Sequence, residues 1–140
     1  MNYKVKTLKK YIDNRGNLVV FLRNRELCRR RKEFGQIYFI TFNKKGVVRG
    51  NHFHKKWREW FGIVTGTVKV ELEDVITKEH VSLELSADDY HYTRLEIGPN
   101  VAHTFKNITS SASLLNYGDK EWSPEDRFLY ILIPDGAKKK

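Results

Sequence analysis

Residues 67–73 read Thr-Val-Lys-Val-Glu-Leu-Glu and alternate without a break, with Val68, Val70 and Leu72 on one side. A strand sends successive side chains to opposite faces, so this pattern is a half-buried strand and cannot pack as a helix. His80–Leu85 repeats it with Val81, Leu83 and Leu85, and Thr93–Ile97 alternates again. Gln36–Phe42 is β-branched and aromatic, a buried strand by composition. Ala102–Asn107 and Ser113–Tyr117 are two further short strands, and an apolar strand starts at Leu18. Turn residues separate these runs at Asp13–Gly16, Asn43–Gly46, Thr65–Gly66, Ser86–Asp89 and Gly98–Asn100. Ser123-Pro-Glu-Asp126 is placed to cap a single helical turn before the last apolar run, Phe128–Ile133. No long amphipathic helix is present. About ten short strands at roughly 8–12-residue spacing predict an all-β sandwich or barrel.

The chain has 140 residues, which predicts one domain over residues 1–137 followed by a basic tail at 138–140. No run of apolar residues is long enough to span a bilayer, and no apolar segment follows the Lys-rich start, so a cytoplasmic protein is expected, with no membrane. The single cysteine, Cys28, has no partner for an internal disulfide, which suits a reducing compartment. The formal charge of +9 favours an anionic partner, either nucleic acid or a phosphorylated small molecule. Basic residues gather at Lys4–Lys10, Arg23–Lys32 and Lys138–Lys140. The middle run lacks interleaved aromatic residues, so it reads as a solvated loop and argues against nucleic acid.

The residues with chemistry in them lie in Gly46–Gly66. His52 and His54 are two apart, so a strand presents both imidazoles on one face and Phe53 on the other. Glu59 comes into phase with them only if a turn intervenes. Paired inward histidines call for metal binding, proton transfer or a ligand. By strict alternation Arg49 and Lys55 fall on the opposite face, unless Gly50 allows a bulge that re-aims Arg49. His80 and His91 sit on segments that offer them no partner.

The spacing Gly46, five residues, His52-x-His54, four residues, Glu59, six residues, Gly66 resembles the first cupin motif, and Gly98-Pro-Asn-Val-Ala-His103 with Asn107 resembles the second. Asn100 replaces the usual glycine there, and Gly98 stands where proline is common. The resemblance implies a cupin jelly roll, a double-stranded β-helix barrel, with His52, His54, Glu59 and His103 in its mouth. Asp13-Asn-Arg15-Gly16-Asn-Leu18, Gln36-Ile-Tyr38-Phe-Ile40 and Arg49-Gly50-Asn-His52-Phe-His54-Lys55-Lys56 are, more narrowly, similar to the nucleotide-sugar 3,4-ketoisomerases. Deoxysugar 3,5-epimerases and epimerase domains of capsule synthesis share pieces of the pattern. Two departures stand out: the stretch Gly118–Asp126 is unlike those enzymes, and Glu59 puts a carboxylate where they tend to have none.

That resemblance implies an isomerase or epimerase of deoxysugar biosynthesis, serving lipopolysaccharide or capsule. Its substrate would be a dTDP-linked 4-keto-6-deoxy sugar such as dTDP-4-keto-6-deoxyglucose. It implies His52 as base and His54 as second proton carrier, with Arg15, Tyr38, Arg49, Lys55 and His103 contacting substrate. No cofactor is expected on this reading. The alternatives are a metal-dependent cupin enzyme holding a divalent metal on His52, His54, Glu59 and His103, or a cupin that binds sugar without turning it over. Cupins of this kind commonly pair, so a homodimer is expected, with Trp57, Trp60 and Trp122 offering apolar surface.

Overall fold

The computed structural model describes residues 1–27 and 34–134. Cys28, the second half of the Arg23–Lys32 run and the Lys138–Lys140 tail lie outside the described residues. The strands are β1 (Tyr3–Leu8), β2 (Lys10–Asp13), β3 (Gly16–Val19), β4 (Gln36–Phe42), β5 (Val48–Phe53) and β6 (Glu59–Thr65). They continue with β7 (Thr67–Asp74), β8 (His80–Ser86), β9 (Tyr92–Ile97), β10 (Val101–Asn107), β11 (Ala112–Gly118) and the short β12 (Phe128–Leu129). One five-stranded sheet runs β1-β9-β6-β11-β4 and the other β12-β5-β10-β7-β8, while β2 and β3 form a separate hairpin. This is the jelly-roll arrangement expected from the two motifs.

The alternating runs behave as their pattern requires. Val68, Val70 and Leu72 from one sheet meet Phe61, Ile63, Leu95 and Leu114 from the other in a continuous buried core. The expected single helical turn is a 3-10 turn at Pro124–Asp126, with the Ser123 side chain accepting from the Glu125 amide. The basic segment Lys4–Lys10 contributes a strand that its charge had hidden. β1 pairs with β9 from Tyr3 opposite Ile97 to Leu8 opposite Tyr92. Its lysines face water on a sheet edge, where charge discourages pairing with other chains.

The pairing of β5 with β10 decides where the histidines point. His103 sits opposite His52 and Thr104 opposite Gly50, so Asn51 is an extra residue in a β-bulge. Gly50 and Asn51 both take positive φ, 108° and 58°. A Cβ at Gly50 would lie 2.6 Å from the His103 carbonyl oxygen, so only glycine fits. The extra residue reverses the side-chain phase and brings Arg49 onto the face of His52.

The tryptophan expectation needs correcting for two of the three residues. Trp57 and Trp60 are buried, not surface residues. Trp57 stacks on the His54 ring with centroids 4.8 Å apart, and Trp60 packs against Tyr117. Only Trp122 is exposed. Exposed apolar side chains lie instead on the hairpin (Tyr11, Ile12, Leu18, Val20) and on edge strand β4 (Ile37, Phe39).

Candidate active site

Strands β5 and β10 bring three imidazoles together. His52 and His54 lie edge to face with centroids 5.0 Å apart, and His52 and His103 likewise at 4.8 Å. Each ring uses Nδ1 on a backbone carbonyl: His52 on Gly50 at 3.1 Å, His103 on Val101 at 3.2 Å and His54 on Asp126. A carbonyl can only accept, so Nδ1 carries the proton in all three. The Nε2 atoms are left as lone pairs. Burial holds His52 and His103 in the neutral form and lowers their pKa values to about 2 and about 3, with the neighbouring imidazoles adding to the effect.

Glu59, at the start of β6, is 1% exposed and closes the cluster from the opposite sheet. Its Oε2 lies 3.3 Å from His103 Nε2 and 3.7 Å from His54 Nε2. Tyr38 from β4 donates to Glu59 Oε1 at 3.2 Å, and Asn116 Nδ2 from β11 donates at 3.3 Å. Burial raises the Glu59 pKa despite the opposing pull of His54, Tyr38 and Asn116. Imidazole lone pairs and a carboxylate oxygen repel one another unless a proton lies between them. The raised Glu59 pKa favours a proton at that contact. Burial also raises Tyr38, so its hydroxyl stays protonated.

A cavity of about 680 Å³ opens beside this cluster, a size usual for small-molecule sites. His52, His54, Tyr38 and Arg49 line it together with Gln36, Thr41, Trp122 and Arg127. His103 stands behind His52, buried. Two of the expected substrate contacts lie elsewhere. The Lys55 ammonium sits 4.3 Å over the Phe128 ring, and that ring stacks on Phe53, whose side chain leaves β5 opposite the histidines. Arg15 is at the hairpin tip, paired with Asp13 at 2.6 Å, and lines a different cavity made of hairpin residues alone. Trp122 and Arg127 come from the stretch where the sequence motifs had faded, so position along the chain gave no signal for them. His80 does have partners: it meets Glu71 at 2.6 Å and Glu73 at 3.2 Å on the outer side of β7 and β8.

The donor set also suits a divalent metal. The ligand nitrogens of His52, His54 and His103 lie within 4.8 Å of one another, and their Nδ1 contacts to carbonyls are the supports that metal-bound histidines usually have. Glu59 Oε2 adjoins two of these nitrogens and could complete or displace such a site. Among the described residues no helix is long and apolar enough to cross a membrane.

Comparison with known proteins gives concordant results. Residues 11–124 match the family model described as polysaccharide biosynthesis C-terminal domain. The TDP-4-oxo-6-deoxy-alpha-D-glucose-3,4-oxoisomerase of Aneurinibacillus thermoaerophilus is 29% identical over 139 residues, spanning 99% of this chain and 92% of that one. The structure of QdtA, a sugar 3,4-ketoisomerase from Thermoanaerobacterium thermosaccharolyticum in complex with TDP, is similar at TM-score 0.75 and 26% identity, covering 91% of this chain and 87% of that one. The WlaRB TDP-quinovose 3,4-ketoisomerase of Campylobacter jejuni is similar at TM-score 0.75 and 26% identity, covering 91% and 92%. With four fifths of its length inside one family pattern, the chain belongs to the polysaccharide biosynthesis C-terminal domain family.

Proposed function

We propose that this protein is a 3,4-ketoisomerase of a TDP-linked 4-keto-6-deoxy sugar and works by histidine-mediated proton transfer. The observation that carries this reading is His52: a neutral imidazole that lines the cavity, with Nδ1–H fixed on Gly50 and Nε2 left as its basic nitrogen. The named activities of the relatives support it. His52 removes the proton from C3, next to the C4 ketone, and the electrons move into a C3–C4 enediol. O4 takes up a proton as the enediol forms, and return of a proton to C4 with loss of the O3 hydroxyl proton leaves the ketone at C3 and a hydroxyl at C4. His54, fixed by the Asp126 carbonyl and beside Glu59, is the second proton carrier in that return. Tyr38 stays protonated and offers its hydroxyl to the sugar oxygens. His103 backs His52 and shares the Glu59 proton. Arg49 meets the anionic end of the substrate. Arg15 and Lys55 have no part in this pocket.

The exposed apolar hairpin and edge strand β4 support a homodimer, since patches of this kind usually mark contact surfaces. Incubation with TDP-4-keto-6-deoxyglucose in deuterated water is the direct test. Deuterium should enter the ring with formation of the 3-keto product. Folded protein that exchanges no ring hydrogen would exclude the reading.

The convergence of three Nε2 atoms favours one second reading, a metal-dependent enzyme on His52, His54 and His103. A divalent ion bound there would polarise the ketone. Elemental analysis of the purified protein, with turnover measured before and after chelation, separates the two. Full activity at well below one equivalent of metal retains the proton-transfer reading, and metal-dependent recovery replaces it.

A further inference from the structure

The segment after the 3-10 turn does more than cover the sheet edge. In the β12–β5 pairing Phe128 sits opposite Phe53 and Leu129 opposite His52. Paired residues on neighbouring antiparallel strands share a face. Phe128 therefore turns with Phe53 away from the histidines, and their rings stack at 5.2 Å. Arg127 precedes Phe128 in extended backbone, φ −129° and ψ 114°, so its side chain leaves on the histidine face. It lines the cavity there, together with Arg49. Its charge is close enough to His52 to help hold that ring neutral.

Three observations give these two guanidiniums a purpose. Arg15, Arg58 and Arg94 each meet a carboxylate, whereas Arg49 and Arg127 have no ion-pair or hydrogen-bond partner among the described residues. Arg49 only rests near the Phe42 ring, at 6.0 Å. Among the described residues the cavity lining contains no Asp or Glu to compete for the positive charge. The backbone that carries Arg127 is fixed on both sides. The buried Asp126 carboxylate accepts from the Lys55 and Lys56 amides at 2.8 and 3.1 Å, and the Tyr130 amide donates to the Asn51 carbonyl at 2.8 Å.

We propose that Arg127, carried on this strap, joins Arg49 as a two-guanidinium clamp for the diphosphate of the nucleotide at the cavity mouth. A guanidinium presents a planar fork of donors that fits phosphate oxygens two at a time, and a diphosphate offers one phosphoryl group to each. The clamp rests on the isomerase reading for the identity of the nucleotide, but not for its demand for an anion.

The test is calorimetric titration of the full chain, wild type and Arg127→Gln, with TDP, thymidine and inorganic pyrophosphate. Arg127→Gln should weaken TDP and pyrophosphate ~10- to 100-fold, leave thymidine within ~2-fold, and reduce the salt dependence of TDP binding. Arg127→Lys should recover part of the loss. Arg127 is exposed, so the variant is expected to fold, and its far-ultraviolet circular dichroism checks this. TDP affinity unchanged in Arg127→Gln overturns the clamp while the isomerase reading stands. An equal loss for thymidine also overturns it, because the residue would then shape the pocket rather than hold charge. Wild-type protein that binds pyrophosphate in an Arg127-dependent way but not TDP supports the clamp and removes the isomerase reading.

Discussion

The bulge in β5 and the tip of the β2–β3 hairpin look alike in sequence and have opposite surroundings. Both combine an arginine, a glycine at positive φ and an asparagine: Arg49-Gly50-Asn51 and Asn14-Arg15-Gly16. At the bulge, β10 pairs on one side and β12 on the other. The Asn51 side chain accepts from Thr104 at 2.8 Å and from the Leu132 amide at 2.9 Å. Its Nδ2 donates to the Ile133 carbonyl at 2.7 Å. At the hairpin only the two strands pair with each other, and Ile12 and Leu18 remain 62% and 59% exposed. A two-stranded hairpin is marginal alone. The tightly held geometry that the proposed proton transfer needs therefore resides at the bulge, and the hairpin presents surface.

Catalytic loss should divide the two regions most sharply. His52→Asn removes the proposed base and should lower turnover ~10²- to 10⁴-fold with the fold retained, measured by product formation and circular dichroism. Arg15→Ala should cost less than ~3-fold, because Arg15 is exposed and paired only with Asp13. Losses of similar size at both positions would break the contrast and bring the hairpin into the site.

The two glycines sharpen it next. A Cβ at Gly50 meets the His103 carbonyl oxygen at 2.6 Å, whereas one at Gly16 meets nothing within 4 Å. Gly16→Ala should cost only the strain of its φ, about 1 kcal/mol in thermal or denaturant unfolding. Gly50→Ala adds the steric clash, for about 2–3 kcal/mol in total, and should also lower activity by shifting His52. Equal destabilisation would mean that the bulge relaxes freely.

How much of this was legible in the sequence follows the same division. Strands built on alternation, such as residues 67–73 and 80–85, were readable because one buried face imposes a period of two. His52-x-His54 was readable for the same reason. Arg49 seemed to face away because one extra residue reverses phase, and Gly50 was the only local hint of it. Trp57 and Trp60 looked like surface for a partner, yet they pack on His54 and Tyr117, contacts set by strands far apart in sequence. Lys55 lies two residues past the end of β5, beyond the reach of strand alternation, and it settles on Phe128. Arg127 owes its direction to the β12–β5 register, which no local pattern encodes.

The apolar hairpin supplies a third test. If two copies pair through it, Ile12→Lys with Leu18→Asp should convert a dimer to a monomer in sedimentation, while the melting temperature of the barrel moves by only a few degrees. A dimer that survives the double substitution would place the contact elsewhere, with the exposed face of β4 as the next candidate.

The pH dependence of stability should again separate the two regions. His52 and His103 are lowered by burial from 6.5 to about 2 and about 3. The unfolded chain therefore takes up protons that the native state refuses. Their stabilisation is complete above pH 6.5 and is lost as pH falls from 6.5 toward those values. Glu59 acts with the opposite sign. Its pKa is raised from 4.5 by burial, so the native state keeps a proton that the unfolded chain releases, and the penalty grows as pH rises above 4.5. Glu59→Gln should therefore gain on wild type between pH 4.5 and neutrality in urea unfolding at a series of pH values. Asp13, lowered by its bonds to Arg15, is fully exposed, so Asp13→Asn should leave the curve within error of wild type. A Glu59→Gln curve parallel to wild type across that range would mean that the carboxyl is ionised in the native state and that the proton of the cluster resides on an imidazole.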